Sequence, residues 1–248
     1  MLELEANVFG QRIIIHPTVI HDDKTAMLVD AGFPGQTAEL HNAMQLAGVD
    51  PHRLRKVMIT HQDLDHIGGL PHLLLQSSFP ITVLASELEK PFIQGERPLL
   101  KYTAEVIESV AQSMPAELAD NVRRSLQTVR DNPPKALVDQ TVVDGDALSD
   151  FGGIVVIETP GHTPGHVSLY HKPSRTLIAG DAMRVEFGEL LGPDPKATLD
   201  METAAASLVK FKHFDIQAVI CYHGGLIRHQ VNHRIAELCG YLGGGPFA

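Results

Sequence analysis

Short apolar runs separated by polar turns dominate this chain, and the spacing of the apolar positions distinguishes strands from helices. Continuous or alternating apolar runs predict strands over 12–20, 26–29, 56–60, 82–85, 153–158, 167–171, 176–179 and 216–221. Apolar positions three and four residues apart predict helices over 36–47, 66–76, 99–112, 115–130, 200–213 and 229–242, with Asp200 as an N-cap. The chain is therefore predicted to be an α/β protein.

The order of the predicted elements repeats once along the chain. Strands, helix, strand and helix are followed by the same series, so we expect a sandwich of sheets between helical layers, in a single domain over 1–248. Residues 91–132 depart from this order, because two amphipathic helices follow a segment that contains proline and glycine. We interpret 91–132 as a helical insertion, which could be a lid, a dimer surface or plain packing scaffold.

Composition narrows the function classes. The 30 acidic and 20 basic residues give a formal charge of −10, which argues against a nucleic-acid or anionic-membrane partner. The two cysteines, Cys221 and Cys239, are expected to be free buried thiols. The N-terminus lacks the pattern of a signal peptide and no run reaches membrane-spanning length, so we expect a cytoplasmic protein.

The densest chemical signal lies at the end of the predicted strand 56–60. His61, Asp63, Asp65 and His66 follow it within six positions. In an extended segment the side chains at i and i+2 project the same way, so His61 and Asp63 can share one metal, while Asp65 and His66 can reach a second. Imidazole and carboxylate together suit zinc, iron or manganese rather than calcium. The alternative is a loop of solvated polar residues.

Three later strand ends add further candidate ligands. His162 lies in a loop fixed by paired prolines and glycines, Asp181 follows a strand and a glycine, and His223 ends the last strand. Asp181 would supply one oxygen to each of two metals, which in such sites lie roughly 3.5–4 Å apart. His166, four residues after His162, is interpreted as a supporting or structural histidine.

These segments, in this order, resemble the motifs of the metallo-β-lactamase fold superfamily. The resemblance covers 29–32, 60–69, 159–166, 180–181 and 222–224, and implies a four-layer αββα sandwich with metals at one edge of the sheets. It assigns His61, Asp63 and His162 to one metal, Asp65, His66 and His223 to the other, and Asp181 to both. Asp30 would be a supporting residue. We expect two divalent ions, zinc first, with manganese or iron as alternatives.

Departures from the family pattern affect the predicted substrate. The family usually has histidine where this chain has Asp63, and the harder oxygen ligand favours manganese or iron beside zinc. Related lactonases have tyrosine three residues after the bridging aspartate, whereas Arg184 here suggests an anionic group on the substrate. A surface ion pair is the alternative for Arg184. Phe187 is a second candidate substrate contact, with core packing as its alternative. The family's glutathione thioesterases carry a helical C-terminal domain, and the end of this chain soon after His223 disfavours that substrate.

The predicted function is metal-dependent hydrolysis of a small molecule. A hydroxide shared by two metals would attack an ester, thioester, lactone or amide, with Asp65 orienting it and carrying its proton as the catalytic residue. The alternatives are a phosphodiesterase or nuclease, an iron-dependent sulfur oxidoreductase and a non-catalytic binding module. A homodimer is possible.

Overall fold

A computed structural model describes residues 1–242 of the chain. The strands, in chain order, are β1 Leu4–Val8, β2 Gln11–Ile15, β3 Thr18–His21, β4 Ala26–Val29, β5 Leu54–Met58, β6 Thr82–Ser86, β7 Gln140–Val142, β8 Ala147–Leu148, β9 Ile154–Glu158, β10 Val167–His171, β11 Thr176–Gly180, β12 Arg184–Glu186, β13 Glu189–Leu191, β14 Ala218–Cys221 and β15 Gly225–Ile227. They form two large sheets and two ribbons.

The α-helices lie between these strands. In chain order they are α1 Thr37–Leu46, α2 Leu64–Ile67, α3 Leu70–Gln76, α4 Lys90–Ile93, α5 Ala104–Gln112, α6 Ala116–Asp131, α7 Met201–Ser207 and α8 Val231–Leu242. Short 3₁₀ helices cover Pro51–Arg53, Asp150–Gly152 and Leu208–His213. Within residues 1–242, no helix combines the length and the apolar character needed to cross a bilayer.

The two large sheets differ in direction. The first has the order β3-β4-β5-β6-β7, and β4 to β7 run parallel, whereas β3 is antiparallel to β4. The second has the order β15-β14-β11-β10-β9-β8, in which β11 and β14 are parallel and the other neighbours are antiparallel. Because β10 is antiparallel to both β9 and β11, β9 points the same way as β11 and β14.

Alternating side chains of the central strands divide the interior into layers. Met27 of β4 and Ile178 of β11 belong to one buried cluster, which fills the space between the two sheets. Their neighbours point outwards, so that Leu28 packs in the cluster that contains α1 and α3, and Leu177 packs in the cluster that contains α8. The result is helices, sheet, sheet and helices, which confirms the predicted αββα sandwich.

Helices α4, α5 and α6 lie between β6 and β7 in the chain, and α5 and α6 fall within the predicted insertion 91–132, whereas α4 begins one residue before it. The second of these helices begins at Ala104 rather than at 99, because the Thr103 side chain accepts a hydrogen bond from the Val106 backbone N–H and caps it. The predicted N-cap Asp200 is confirmed, since it accepts from the backbone of Thr203. Its helix changes to 3₁₀ geometry after Ser207.

Two other predicted elements are interrupted. The predicted strand 12–20 is two strands, because Pro17 has no N–H for a ladder and the backbone N–H of His16 donates to Tyr222 instead. The predicted helix 66–76 breaks at Gly69, where a Cβ atom would lie 2.2 Å from the carbonyl oxygen of Ala31. Cys221 and Cys239 are free and buried, as expected.

The ends of the parallel strands explain where functional side chains can meet. The strands β4 and β5 end at one edge of the first sheet, and β9, β11 and β14 end together in the second. A hydrogen bond from the Val167 N–H to the Thr60 carbonyl, 3.1 Å long, joins the two sheets at this edge. The loops after all five strands therefore converge on one place.

Candidate metal centre

The structure brings all seven predicted ligand side chains together at this edge. They form two groups in which the ligand atoms lie within 4.8 Å of one another. The first group contains His61, Asp63, His162 and Asp181, and the second contains Asp65, His66 and His223. This is the division that the resemblance implied, with Asp181 within reach of both groups.

Asp63 is the centre of the first group. Its Oδ2 atom lies 3.0 Å from Nε2 of His162 and 3.2 Å from Nε2 of His61. Both imidazoles are buried, whereas Asp63 is half-buried. The loop after β5 therefore presents His61 and Asp63 to His162, which arrives from the loop after β9 in the other sheet.

The second group comes from the start of α2 and the end of β14. Oδ2 of Asp65 lies 3.3 Å from Nε2 of His223 and 3.7 Å from Nε2 of His66. His66 is buried, but the side chain of His223 is 38% exposed. The second group is thus the one that opens towards solvent.

Asp181 lies between the two groups and faces both. Its Oδ1 atom is 3.5 Å from Nε2 of His66, and its Oδ2 atom is 3.3 Å from Nε2 of His162 and 3.4 Å from Nε2 of His223. One carboxylate with an oxygen directed at each group is the arrangement that a ligand shared by two cations requires.

Three of these atoms indicate that the cluster is built for a cation. Within residues 1–242, Nε2 of His61, Nε2 of His66 and Oδ1 of Asp181 are buried and have no hydrogen-bond partner. A buried polar atom without a partner is unfavourable by about 1–3 kcal/mol, so three of them in one cluster need an explanation. Two divalent ions, one in each group, would together give all three atoms a partner, and imidazole and carboxylate ligands suit zinc, manganese or iron.

Neighbouring residues hold the histidines with these nitrogens inward. The Nδ1 atom of His66 lies 2.9 Å from Oδ2 of Asp30, and Asp30 also accepts hydrogen bonds from the backbone and hydroxyl of Thr60. Nδ1 of His61 is 3.0 Å from the Thr60 hydroxyl, and Nδ1 of His162 is 3.3 Å from that of Thr198. A carboxylate or hydroxyl on the far nitrogen fixes the ring and leaves Nε2 for a metal.

His166 has a different environment from the other histidines. Its Nε2 accepts the backbone N–H of Asp181 at 3.0 Å, and its Nδ1 lies 2.8 Å from the hydroxyl of Thr159. Burial, followed by the nearby charge of His162, lowers the pKa of His166 to about 3, so the ring is a neutral acceptor. Both nitrogens are used within the protein, which places His166 as a support for Asp181.

The hydrogen bond between His166 and the backbone of Asp181 requires glycine at position 180. Its φ is +54°, and a Cβ atom would lie 2.6 Å from Nε2 of His166. Any larger residue would push the imidazole away from the backbone of Asp181. Lack of space therefore explains why glycine precedes the predicted bridging aspartate.

Charges within the cluster shift the pKa values in opposite directions. Burial lowers the pKa of His66, but the carboxylates of Asp30 and Asp181 outweigh it and hold the pKa well above its usual range. For Asp181, burial favours the neutral form, but the imidazoles of His223 and His66 keep its pKa well below the usual range. The centre therefore carries ionised carboxylates, which attract cations.

Lys101, from the loop before α5, approaches the first group. Its Nζ atom lies 2.5 Å from Oδ2 of Asp63 and 2.8 Å from Nε2 of His162. Sequence analysis did not assign this lysine, because 38 positions separate it from Asp63 and no local pattern orients it. The insertion thus contributes a positive charge directly at two of the predicted ligands.

Glu89 is a second residue that the sequence analysis missed. It is fully buried, and each carboxylate oxygen accepts two hydrogen bonds. Oε2 accepts from the backbone and the side chain of Gln62, and Oε1 accepts from the Thr163 hydroxyl and the Gly165 backbone, all at 2.7–3.0 Å. Because Gln62 lies between His61 and Asp63 and Thr163 follows His162, Glu89 ties the two ligand loops together.

The two predicted substrate contacts lie on the ribbon formed by β12 and β13. The guanidinium of Arg184 donates to the carbonyls of Gly192 and Pro193 at 2.8 and 3.0 Å and lies 3.6 Å from Glu186. The alternative prediction for Phe187, that it packs in the core, is wrong. Phe187 and Gly188 have positive φ values and form a tight turn, which leaves Phe187 98% exposed. That Arg184 and Phe187 contact substrate stays a prediction.

Comparisons with known proteins identify the family to which the chain is similar. A family model described as the metallo-beta-lactamase superfamily matches residues 12–223, which include all seven candidate ligands. The chain is 26% identical over 214 residues to "Probable metallo-hydrolase YflN" of Bacillus subtilis, a match that covers 80% of this chain and 75% of that protein. It is also 24% identical to "Atrochrysone carboxyl ACP thioesterase" of Aspergillus fumigatus over 82% of this chain and 48% of that one.

A solved structure shows the same fold. The metallo-beta-lactamase family protein TTHA1429 from Thermus thermophilus superposes with a TM-score of 0.65 at 20% identity, covering 97% of this chain and 77% of that one. The family model spans far more than half of the sequence and contains each of the loops at the metal-ligand edge. The chain therefore belongs to the metallo-beta-lactamase superfamily, and as a member of it is a metal-dependent hydrolase.

Proposed function

We propose that this hydrolase binds two divalent ions and cleaves an ester, thioester or lactone bond of a small molecule. His61, Asp63 and His162 would hold one ion, Asp65, His66 and His223 the other, and Asp181 would contact both. The observation that carries the proposal is the set of three buried ligand atoms that have no hydrogen-bond partner within residues 1–242 and lie in a cluster of seven ligand side chains. Bound there, the ions would polarise a carbonyl group and bring the pKa of a water molecule from 15.7 to about 7.

The residues of the chain divide the remaining work. Asp65 is half-buried, and its side chain lines a pocket beside the centre, so its carboxylate can receive a proton from an attacking water and return it to the leaving group. Asp30 and Thr60 keep the imidazoles of His66 and His61 oriented, and His166 holds the backbone of Asp181. This rigid support keeps the reacting groups in place.

The net charge of the chain and its similarity to a thioesterase favour an acyl substrate over a phosphodiester. The formal charge of −10 does not suit a nucleic acid, which needs a basic surface. One relative is named a thioesterase of an acyl carrier protein, and this supports thioesters as a class to test. Rate measurements on a set of esters, thioesters and lactones would identify the substrate class.

Metal removal tests the proposal directly. Protein purified without a metal-affinity tag is expected to contain about two ions per chain and to hydrolyse a member of an ester, thioester and lactone panel. Dialysis against a chelator should abolish turnover, and added zinc, manganese or iron should restore it. Metal quantification and rate measurement are made on the same samples.

Two results would contradict the proposal. Oxygen consumption with thiol substrates, without hydrolysis of any acyl compound, would show redox chemistry instead. Faster cleavage of bis-para-nitrophenyl phosphate than of every acyl substrate would favour a phosphodiesterase. Either result would leave the fold unchanged, because the fold does not determine the reaction.

Lys101 gives a further prediction about the first ion. Its ammonium group contacts Asp63 and His162, so a cation held by these two side chains would be close to a like charge, and like charges that are close and partly buried repel by several kcal/mol. We therefore expect Lys101→Met to bind the first-group ion at least about tenfold more tightly, a change of about 1.4 kcal/mol. Competition with a fluorescent chelator measures this affinity without any substrate.

The matched control is Lys24→Met, which removes the same charge from an exposed turn between β3 and β4. It should leave both metal affinities within about twofold of the parent protein, because exposed charges at a distance are screened by salt. Equal affinities in Lys101→Met and the parent would show that the ammonium does not oppose the ion.

A further inference from the structure

A pocket of about 230 Å³ opens directly beside the candidate metal centre. Asp63 and Asp65 form part of its wall, together with Lys101 and Tyr102 at the start of the insertion. The rest of the wall is apolar, and comes mainly from α5 and α6, with Phe33, Leu64, Val106, Ile107, Val110 and Leu126 as its members. A cavity with polar groups at one end and apolar groups elsewhere orients a ligand that has one polar end.

The helical insertion has a definite role in this geometry. Helices α5 and α6 pack against each other, and Ile107 of α5 and Val122 of α6 are buried. Val106 and Val110 are not fully buried, although they are apolar and lie beside a charged centre. Apolar side chains that remain accessible next to catalytic groups favour contact with an apolar part of the substrate.

From this we infer that the insertion binds the apolar chain of an acyl substrate, with the scissile carbonyl at the metal centre. The inference rests on the proposed function, and it names the substrate class as esters or thioesters of a medium-length alkanoic acid. An apolar cavity of about 150 Å³ holds benzene, which has six carbons, so a pocket of about 230 Å³ has room for roughly eight or nine carbons. The acyl chain is therefore about eight carbons long.

Charges at the polar end agree with this orientation. Lys101 and Tyr102 can donate hydrogen bonds there, and the Tyr102 hydroxyl stays protonated because burial, Asp63 and Asp65 all raise its pKa. The pocket residues that come from α5 and α6 include no charged side chain. A charged or strongly polar acyl tail would lose its hydration there without a partner.

Binding of straight-chain alkanoates to zinc-loaded protein tests the pocket without requiring turnover. Titration calorimetry with acids of two, four, six, eight and ten carbons should show Kd falling about fourfold for each added methylene. The trend should stop near eight carbons, when the pocket is full. Para-nitrophenyl esters of the same acids, measured in parallel, should show the same trend in kcat/KM.

Two variants locate the effect in the insertion. Val106→Asp places a carboxylate at a position that is 41% exposed, and is expected to weaken octanoate binding at least about tenfold while leaving acetate within about twofold. Val110→Phe fills the pocket without adding charge, and should move the end of the trend to shorter chains. Val209→Asp is the control, because it makes the same change at a 46% exposed valine that does not line the pocket.

The outcomes separate this inference from the proposed function. Binding that strengthens with chain length and weakens in Val106→Asp, but without ester cleavage, would support the pocket and reject hydrolysis. Cleavage with no dependence on chain length would support hydrolysis and overturn the pocket. A chain-length trend that is the same in Val106→Asp as in the parent protein would also overturn it, since the chain would then bind elsewhere.

Discussion

An Asp181→Ala variant is expected to bind fewer than two ions per chain and to lose at least about 10³-fold in kcat/KM on its best acyl substrate. Asp181 is the one candidate ligand with an oxygen near each group, Oδ1 beside His66 and Oδ2 beside His162 and His223. Without this carboxylate, each ion would lose a ligand and the negative charge between the two cations would disappear. A loss of about 4 kcal/mol of transition-state stabilisation corresponds to that change in rate.

The Asp181→Ala experiment combines metal quantification with kinetics on the same preparation. Asp23→Ala, at an exposed position in the turn between β3 and β4, makes the same change of charge away from the centre and should keep both ions and full activity. Circular dichroism confirms that each variant is folded. Full turnover of Asp181→Ala with two ions bound would show that Asp181 does not bridge them.

The central part of the fold was predictable because buried strands carry continuous apolar runs. The predicted strands 26–29 and 167–171 agree with β4 and β10, and 82–85 differs from β6 by one residue. These strands are largely buried, so most of their positions are apolar. Strands β1, β7, β8, β12, β13 and β15 were not predicted. Strand β1 lies in a two-stranded ribbon, and the others have two or three residues each and lie at sheet edges or in a ribbon.

The grouping of the candidate ligands was predictable for a related reason. A ligand-type residue at the end of a buried strand lies at the edge of a sheet, and parallel strands bring several such ends together. His61, His162, Asp181 and His223 each follow one of these strands. The residue types and their order, together with the family resemblance, were therefore sufficient to place seven side chains in two groups.

Lys101 and Glu89 could not be found in this way. Lys101 contacts residues 38 and 61 positions away, and Glu89 contacts residues 27, 74 and 76 positions away. Lys101 does not follow a strand, and Glu89, although it comes soon after β6, does not belong to a dense group of ligand-type residues. Their positions depend on how the connection between β6 and β7 folds over the edge of the sheets, which is a tertiary property.

Glu89 leads to the second large expected effect, which is on folding stability. Replacing it with alanine leaves four donors, from Gln62, Thr163 and Gly165, without their acceptor in a buried place. We expect the free energy of unfolding of metal-free protein to fall by about 3–5 kcal/mol, because each unsatisfied buried donor is unfavourable by about 1–3 kcal/mol and some will find water. Urea unfolding followed by circular dichroism measures the change.

Glutamine at position 89 is expected to restore only part of this loss. Its amide oxygen can accept from one pair of donors, but its NH₂ group then faces the other pair, which also donates. Glu89→Gln should therefore be intermediate, and one ligand loop should be released in either orientation of the amide. Because that loop carries His61 and Asp63 or His162, the first ion should bind more weakly as well.

The control for both variants is the neighbouring Glu87, which is exposed in the same turn. Glu87→Ala and Glu87→Gln should change the free energy of unfolding by no more than about 0.5 kcal/mol. If Glu89→Gln were as stable as the parent protein but bound the first ion more weakly, Glu89 would act on the ligands by its charge. If both stability and metal binding were unchanged, the two ligand loops would be held by other contacts, such as the Val167 hydrogen bond to Thr60.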